Sequence, residues 1–259
     1  MRAILFDMDG VLYNSEEPIP GAVETLAWLR ERQVPHLFVT NTTSRGRDAL
    51  TDKLARFGIP ASPEEIMTPC EAAADWLRWQ EGGSVALFLR PAARAAFDGL
   101  ECLADDAESG AGYVVIGDLG SAWDFRTLNR AFRLLHANPD ATLIALGMTR
   151  YWRAPDGISM DVAPFVAALE NASGRRALVF GKPAPAFFHA AAARLGVPSG
   201  EILMVGDDIE SDIAGAQSAG MQAALVKTGK FRTRDLHGPI KPDAVLDSVA
   251  ELPDFWERR

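Results

Sequence analysis

Short apolar runs bounded by turn residues alternate along the chain with stretches whose apolar positions recur at helical spacing. Ala3-Ile4-Leu5-Phe6, Leu37-Phe38-Val39, the segment from Ala177 to Phe180, and Ile202-Leu203-Met204-Val205 read as buried strands. After Pro20-Gly21, the residues Ala22, Leu26 and Leu29 fall at i, i+4 and i+7, which predicts a helix with its charges outward. A second helix follows the hydroxyl-rich turn Thr40-Asn41-Thr42-Thr43-Ser44, a stretch suited to capping, and continues to Phe57 before stopping at Gly58. Strand alternating with helix predicts an α/β fold, a doubly wound parallel sheet of Rossmann-like type.

The texture changes at Glu81-Gly82-Gly83. Three further apolar runs follow: Val85 to Leu89, Tyr113 to Ile116 and Leu143 to Leu146. Between them Phe125, Leu128, Phe132 and Leu135 mark one helix, and Phe165 with Leu169 mark another that ends near Gly174. The first pattern then resumes. The expectation is a smaller α/β unit, residues 80–179, inserted into a discontinuous core of residues 1–79 and 180–259. No internal repeat or low-complexity tract interrupts this order, and Arg232 to Pro242 reads as a polar loop.

The chain has 259 residues, 26 Lys plus Arg against 35 Asp plus Glu, and a net charge of -9. That balance argues against a general binder of nucleic acid or of an anionic membrane, so any bound phosphate must meet local positive charge. No apolar run approaches the roughly 18 residues that span a bilayer, which predicts a soluble protein. The two cysteines, Cys70 and Cys102, lack metal-ligand spacing and the density of a disulfide scaffold, consistent with the reducing cytoplasm.

Ligands of an open parallel sheet bind beyond the carboxyl ends of its strands. Each polar cluster of the core has that placement: Asp7 and Asp9 after one strand, Thr40-Asn41-Thr42 after a second, Lys182 after a third, Asp207-Asp208 after a fourth. Asp7 and Asp9 have the spacing of a nucleophile and a proton donor, and Gly10 permits the tight turn that brings them out of the strand. An aspartyl carboxylate that attacks phosphorus forms an acyl phosphate, dividing one hard hydrolysis into two easier steps. Asp7, Asp207 and a nearby backbone carbonyl offer the hard oxygen ligands that magnesium prefers. The Thr40 or Thr42 hydroxyl and the Asn41 amide suit the transferring oxygens, and Lys182 offsets their charge.

The ordered set Asp-Met-Asp-Gly, Thr-Asn, Gly-Lys-Pro and Gly-Asp-Asp resembles the phosphatases of the haloacid dehalogenase superfamily, over nearly the whole chain. By that likeness Asp7 is the nucleophile and Asp9 the acid and base. Thr40 and Asn41 bind phosphate, Lys182 is the catalytic lysine, and magnesium is held by Asp7, the Asp9 carbonyl and Asp207. Asp208 and Asp212 support the metal shell, with Asp212 orienting it. The insertion looks like a large α/β cap, which implies a small-molecule phosphate as substrate and a homodimer as a plausible assembly. Thr149, Arg150, Tyr151 and Trp152, after the strand ending at Leu146, are the cap residues expected to contact the substrate. Gly10-Val11-Leu12-Tyr13, Leu128 to Phe132, Arg150-Tyr151-Trp152 and Val226 to Phe231 are most similar to a branch whose substrates carry P–N or P–O–P bonds. Animal members of that branch can carry Ser where this chain has Asp9, and an intact Asp9 favours oxygen-ester leaving groups. Other readings of the same pattern are a phosphomutase or phosphotransferase on this core, and a non-enzymatic, receiver-like phosphate-responsive module.

Overall fold

The computed structural model describes residues 1–154 and 157–258, with only the backbone of residues 152–154. In chain order the main elements are β1 (Ala3–Asp7), α1 (Ala22–Glu31), β2 (His36–Val39), α2 (Arg47–Arg56), β3 (Ile66–Met67), α3 (Pro69–Arg78), β4 (Ser84–Phe88), β5 (Ala111–Ile116), α4 (Phe125–Ala137), β6 (Thr142–Ala145), α5 (Ala163–Ser173), β7 (Leu178–Val179), α6 (Pro185–Leu195), β8 (Ile202–Gly206), β9 (Gln222–Val226) and β10 (Ala244–Leu246). Contacts divide the chain into two compact units. One comprises residues 1–40, 47–68 and 182–259; the other comprises 41–46 and 69–181.

The first unit is built on a six-stranded sheet in the order β10-β9-β8-β1-β2-β3, and every neighbouring pair is parallel. From β1 the chain moves one way through β2 to β3, then re-enters at β8 on the other side of β1 and runs out to β10. The order therefore reverses between β1 and β8, and at such a point the loops leaving two adjacent strands part and open a crevice at the carboxyl edge. Ile4 and Phe6 share one apolar cluster with Leu26, Phe38, Leu54, Leu203 and Val205. Alternation along the strand turns Leu5, and with it Asp7, to the opposite face. β1 is buried at all five positions, as expected of a central parallel strand covered on both faces.

The second unit has its own parallel four-stranded sheet, β7-β6-β5-β4, and its own core. α4 begins at Asp124, whose side chain accepts the Thr127 N–H. α5 ends at Gly174, which takes the left-handed conformation at φ 72° that lets a helix close without a Cβ clash. The boundaries at 68/69 and 181/182 differ from the 79/80 and 179/180 expected from the Gly82-Gly83 break. α3 is the reason: Trp76 packs against Tyr113 and Phe180, and Arg78 donates to the carbonyls of Ala96 and Asp98. A sequence break marks where a strand starts, whereas unit membership follows side-chain packing.

Phe38 is fully buried at the centre of the first unit, with its ring 6.2 Å from Phe6 and 5.4 Å from the His36 ring. Phe38→Ala is expected to lower stability by about 3–5 kcal/mol in urea unfolding, through lost burial and the cavity left behind. A loss below about 1 kcal/mol would contradict this packing.

Candidate active site

Asp7 is the last residue of β1, and its register partner on β2 is Val39, so Thr40 leaves the sheet one residue further along the same edge. On the other side β8 ends at Gly206, which puts Asp207 at that edge as well. Two hydrophobic strands thus carry an acidic residue each to the crevice where the strand order reverses.

Lys182 enters the cluster from the start of the segment leading to α6. Its Nζ donates to Asp7 Oδ1 at 2.6 Å and to Asp212 Oδ1 at 2.7 Å, with all three side chains buried. Asp212 sits in the helical turn Ile209–Ala214 that follows Asp208. Its Oδ2 accepts the Asp208 N–H at 3.2 Å. Gly206 has no room for a side chain, because an added Cβ would stand 2.2 Å from the Cβ of Asp212. Asp208 caps its turn instead of entering the cluster: Oδ1 accepts the N–H groups of Glu210 and Ser211, both at 3.0 Å.

Asp207 is 1% exposed. Its Oδ2 accepts the Lys230 N–H at 2.6 Å, while Oδ1 is buried and has no hydrogen-bond partner among the described residues. Asp7, Asp207 and Asp212 each bring one carboxylate oxygen within 4.8 Å of the others. Three buried carboxylates against one buried ammonium leave an excess of negative charge, which a small oxygen-seeking cation would neutralise. The partnerless Asp207 oxygen meets the same need. These residues fit a divalent metal ion.

Proton affinities follow from this crowding. Burial raises Asp7 despite the opposing pull of Lys182, and burial likewise raises Asp207. Asp212 is pushed up to about 6, again chiefly by burial. Burial works against the Lys182 ammonium, but Asp212 and Asp7 outweigh it and hold the lysine charged. Asp208 moves the other way: its burial is outweighed by the N–H groups it accepts and by Lys230.

Asp9 follows the cluster on an exposed turn, its Oδ1 accepting the Ser15 N–H at 3.4 Å. Asn41 and Thr42 belong to the second unit, where Thr42 Oγ1 lies 3.4 Å from Ser44 Oγ. Thr149, Arg150 and Tyr151 are exposed there, Tyr151 opening an antiparallel hairpin with Gly157–Met160. The side chain of Trp152 lies outside the described residues.

Residues 228–230, to which the sequence assigns no role in the site, form a wall of it. Thr228 Oγ1 donates to the Gly10 carbonyl, Lys230 N–H binds Asp207, and Lys230 Nζ lies 3.4 Å from Asp208 Oδ2. Gly229 has φ 62°, and an added Cβ would stand 2.1 Å from Asp207 Oδ2 and 2.6 Å from the Gly10 Cα. A glycine between polar residues just after a strand was the available signal, since such a position allows close backbone approach.

Two family models match the chain, haloacid dehalogenase-like hydrolase over residues 4–102 and HAD-hydrolase-like over residues 179–252. Phospholysine phosphohistidine inorganic pyrophosphate phosphatase of Homo sapiens is 37% identical over an alignment covering 98% of this chain and 94% of that protein. NagD from E. coli K-12 is a similar solved structure, with TM-score 0.85, 25% identity, and coverage of 97% of this chain and 98% of that one. The p-nitrophenyl phosphatase from Archaeoglobus fulgidus superposes with TM-score 0.85 at 27% identity, over 98% of each chain. No helix among the described residues is long and apolar enough to cross a membrane. With its acidic cluster at the switch point of a doubly wound sheet and relatives matched over nearly its whole length, the chain belongs to the haloacid dehalogenase-like hydrolases, as one of their phosphatases.

Proposed function

We propose that this phosphatase acts on a small phosphate compound through an aspartyl phosphate on Asp7, with magnesium held by Asp7, Asp207 and the Asp9 carbonyl. The observation that carries the reading is the buried, partnerless Asp207 oxygen within a cluster of three carboxylates. All the donors are hard oxygens, the set magnesium takes in preference to softer metals. Bound magnesium supplies positive charge that offsets the carboxylates and the phosphoryl oxygens.

The chain's own residues divide the work. Lys182 grips one oxygen of Asp7 and stops the carboxylate from rotating, which orients it as a nucleophile. Asp7 attacks phosphorus, the bond to the leaving group breaks, and Asp9 gives that group its proton. Asp9 then takes a proton from the water that attacks the acyl phosphate, releasing phosphate and restoring Asp7. Thr40, Asn41 and Thr42 are assigned to the phosphoryl oxygens, together with Lys182. Asp212 and Asp208 hold the lysine and the loop in place. The substrates for which the relatives are named, phospholysine, phosphohistidine, inorganic pyrophosphate and p-nitrophenyl phosphate, set the range we propose for this chain. Thr149, Arg150, Tyr151 and Trp152 are proposed to choose among them. Cys70 and Cys102 are not joined in a disulfide, which supports a cytoplasmic setting.

Asp7→Asn is expected to reduce p-nitrophenyl phosphate turnover by at least about a thousandfold. Its thermal unfolding should stay cooperative, because Asp212 still pairs with Lys182. Turnover near that of the unsubstituted protein would remove Asp7 as nucleophile.

The metal-free cluster also predicts a pH dependence. Asp212 has its proton affinity raised to about 6 from an ordinary 3.8. Between those values the folded state holds more protons than the unfolded one, so metal-free stability falls as pH rises across the window and stays lower above it. A cation binds the ionised carboxylates, so its stabilising effect runs the opposite way. The upward shift in melting temperature on adding magnesium should therefore be small near about pH 5 and reach full size by about pH 8. Equal shifts at both, or none at either, would contradict the cluster as the metal site.

A further inference from the structure

Lys53 is a buried cation that the proposed chemistry does not use. It lies on α2, is 7% exposed, and is flanked by apolar Leu50 and Leu54 of the same helix. Its Nζ sits 4.3 Å from the centroid of the Tyr13 ring and 5.9 Å from that of Phe57. It also lies 3.6 Å from Glu16 Oε1. Tyr13 and Glu16 belong to one small structure, the antiparallel hairpin that pairs Tyr13–Asn14 with Glu17–Pro18 directly after the Asp9 turn.

That hairpin and the Asp9 turn are one piece of backbone. The Gly10 N–H donates to the Tyr13 carbonyl at 2.7 Å, Asp9 bridges to Tyr13, and Ser15 N–H donates to Asp9 Oδ1. Ser15 has φ 52°, a left-handed conformation uncommon for a residue with a side chain. Asp9 itself is exposed. Its direction is therefore set by the hairpin, and the hairpin is fixed at its root by the Tyr13 ring and at its tip by Glu16.

Lys53 reaches both points from a neighbouring helix. Holding an ammonium there costs desolvation, and an apolar side chain of similar length would fill the space without it. The ring face and the carboxylate offset that cost only while the hairpin stays where it is. We propose that Lys53 is a positioning residue for Asp9: its ammonium clamps the hairpin through Tyr13 and Glu16 and so aims the carboxyl at the leaving-group oxygen. The inference rests on the proposed role of Asp9 as leaving-group acid.

The test compares two substrates on the full-length protein at one pH. An alkyl phosphate leaves as a basic alkoxide and needs the proton, whereas p-nitrophenyl phosphate leaves as a stable anion and needs it little. Asp9→Asn serves as the reference and should lose far more kcat/KM, which reads the step that expels the leaving group and not the later hydrolysis of the acyl phosphate, on the alkyl substrate than on the aryl one. Lys53→Met keeps the length and packing of the side chain but removes its charge. It is expected to lose about tenfold in kcat/KM on the alkyl phosphate and less than about twofold on the aryl one. Lys53→Arg, which keeps a cation over the ring, should restore the alkyl rate. Tyr13→Leu, which removes the ring, should repeat the Lys53→Met pattern and stands in if that variant does not fold.

A selective Asp9→Asn with Lys53→Met and Tyr13→Leu equally impaired on both substrates, or unimpaired on both, would overturn the clamp and leave the acid in place. Failure of Lys53→Arg to restore the alkyl rate would also overturn it. An Asp9→Asn loss in kcat/KM that is equal on both substrates would overturn Asp9 as leaving-group acid, and the clamp with it.

Discussion

One buried ammonium organises the acidic end of the sheet. Lys182 stands between Asp7 and Asp212, within 2.7 Å of an oxygen of each, and none of the three side chains reaches solvent appreciably. Such an arrangement is tolerable only as a set, because removing one member leaves uncompensated charge in a medium that screens poorly. The set is also incomplete, since Asp207 adds a third carboxylate with one oxygen unmatched. The same deficit of positive charge that makes the metal-free site unfavourable suits it to a compact cation.

The fold supplies this set because of how the sheet is wound. Asp7 and Asp207 lie far apart in the chain, yet β1 and β8 are adjacent parallel strands that end at the same edge. Strand order reverses between them, which keeps the space above their ends clear of a crossing connection. Close packing by glycine finishes the job: Gly10, Gly206 and Gly229 each approach an Asp207 or Asp212 carboxyl more nearly than any side chain would allow. Backbone at these points lies close against the carboxylates, so the acidic cluster is held by main chain as well as by side chains.

Much of this was legible in the residues themselves. A short, wholly apolar strand ending in Asp-x-Asp-Gly announces where Asp7 emerges, and the same logic locates Thr40 and Asp207 at strand ends; the strand before Lys182, expected in the core sheet, instead pairs with β6 in the sheet of the second unit. The role of Asp212 was harder to read. Five residues after Asp207 it looks like a supporting group, whereas the short helical turn after Asp208 brings its carboxylate into the cluster itself. Thr228, Gly229 and Lys230 lie in the stretch Val226 to Phe231 that carries part of the resemblance, but their contacts with Asp207 and Gly10 are made largely through main-chain atoms and close approach, which leave little mark on composition. Lys53 escaped notice for another reason: on a helix with few apolar residues a lysine reads as solvent-facing, and only the tertiary position of Tyr13 buries it. The division between the units shows the same limit, since α3 joins the second unit through Trp76 and Arg78, contacts that no local pattern encodes.

Catalysis as proposed requires Asp7 to carry the phosphoryl group during turnover. Rapid acid quenching of the magnesium-loaded protein with p-nitrophenyl phosphate, followed by borohydride reduction and peptide mass spectrometry, addresses this directly, because an aspartyl phosphate is reduced to homoserine and a free carboxylate is not. Homoserine at position 7, absent when substrate is omitted, is the predicted result. An unmodified Asp7 alongside a phosphorylated or reduced residue elsewhere in the chain would contradict it.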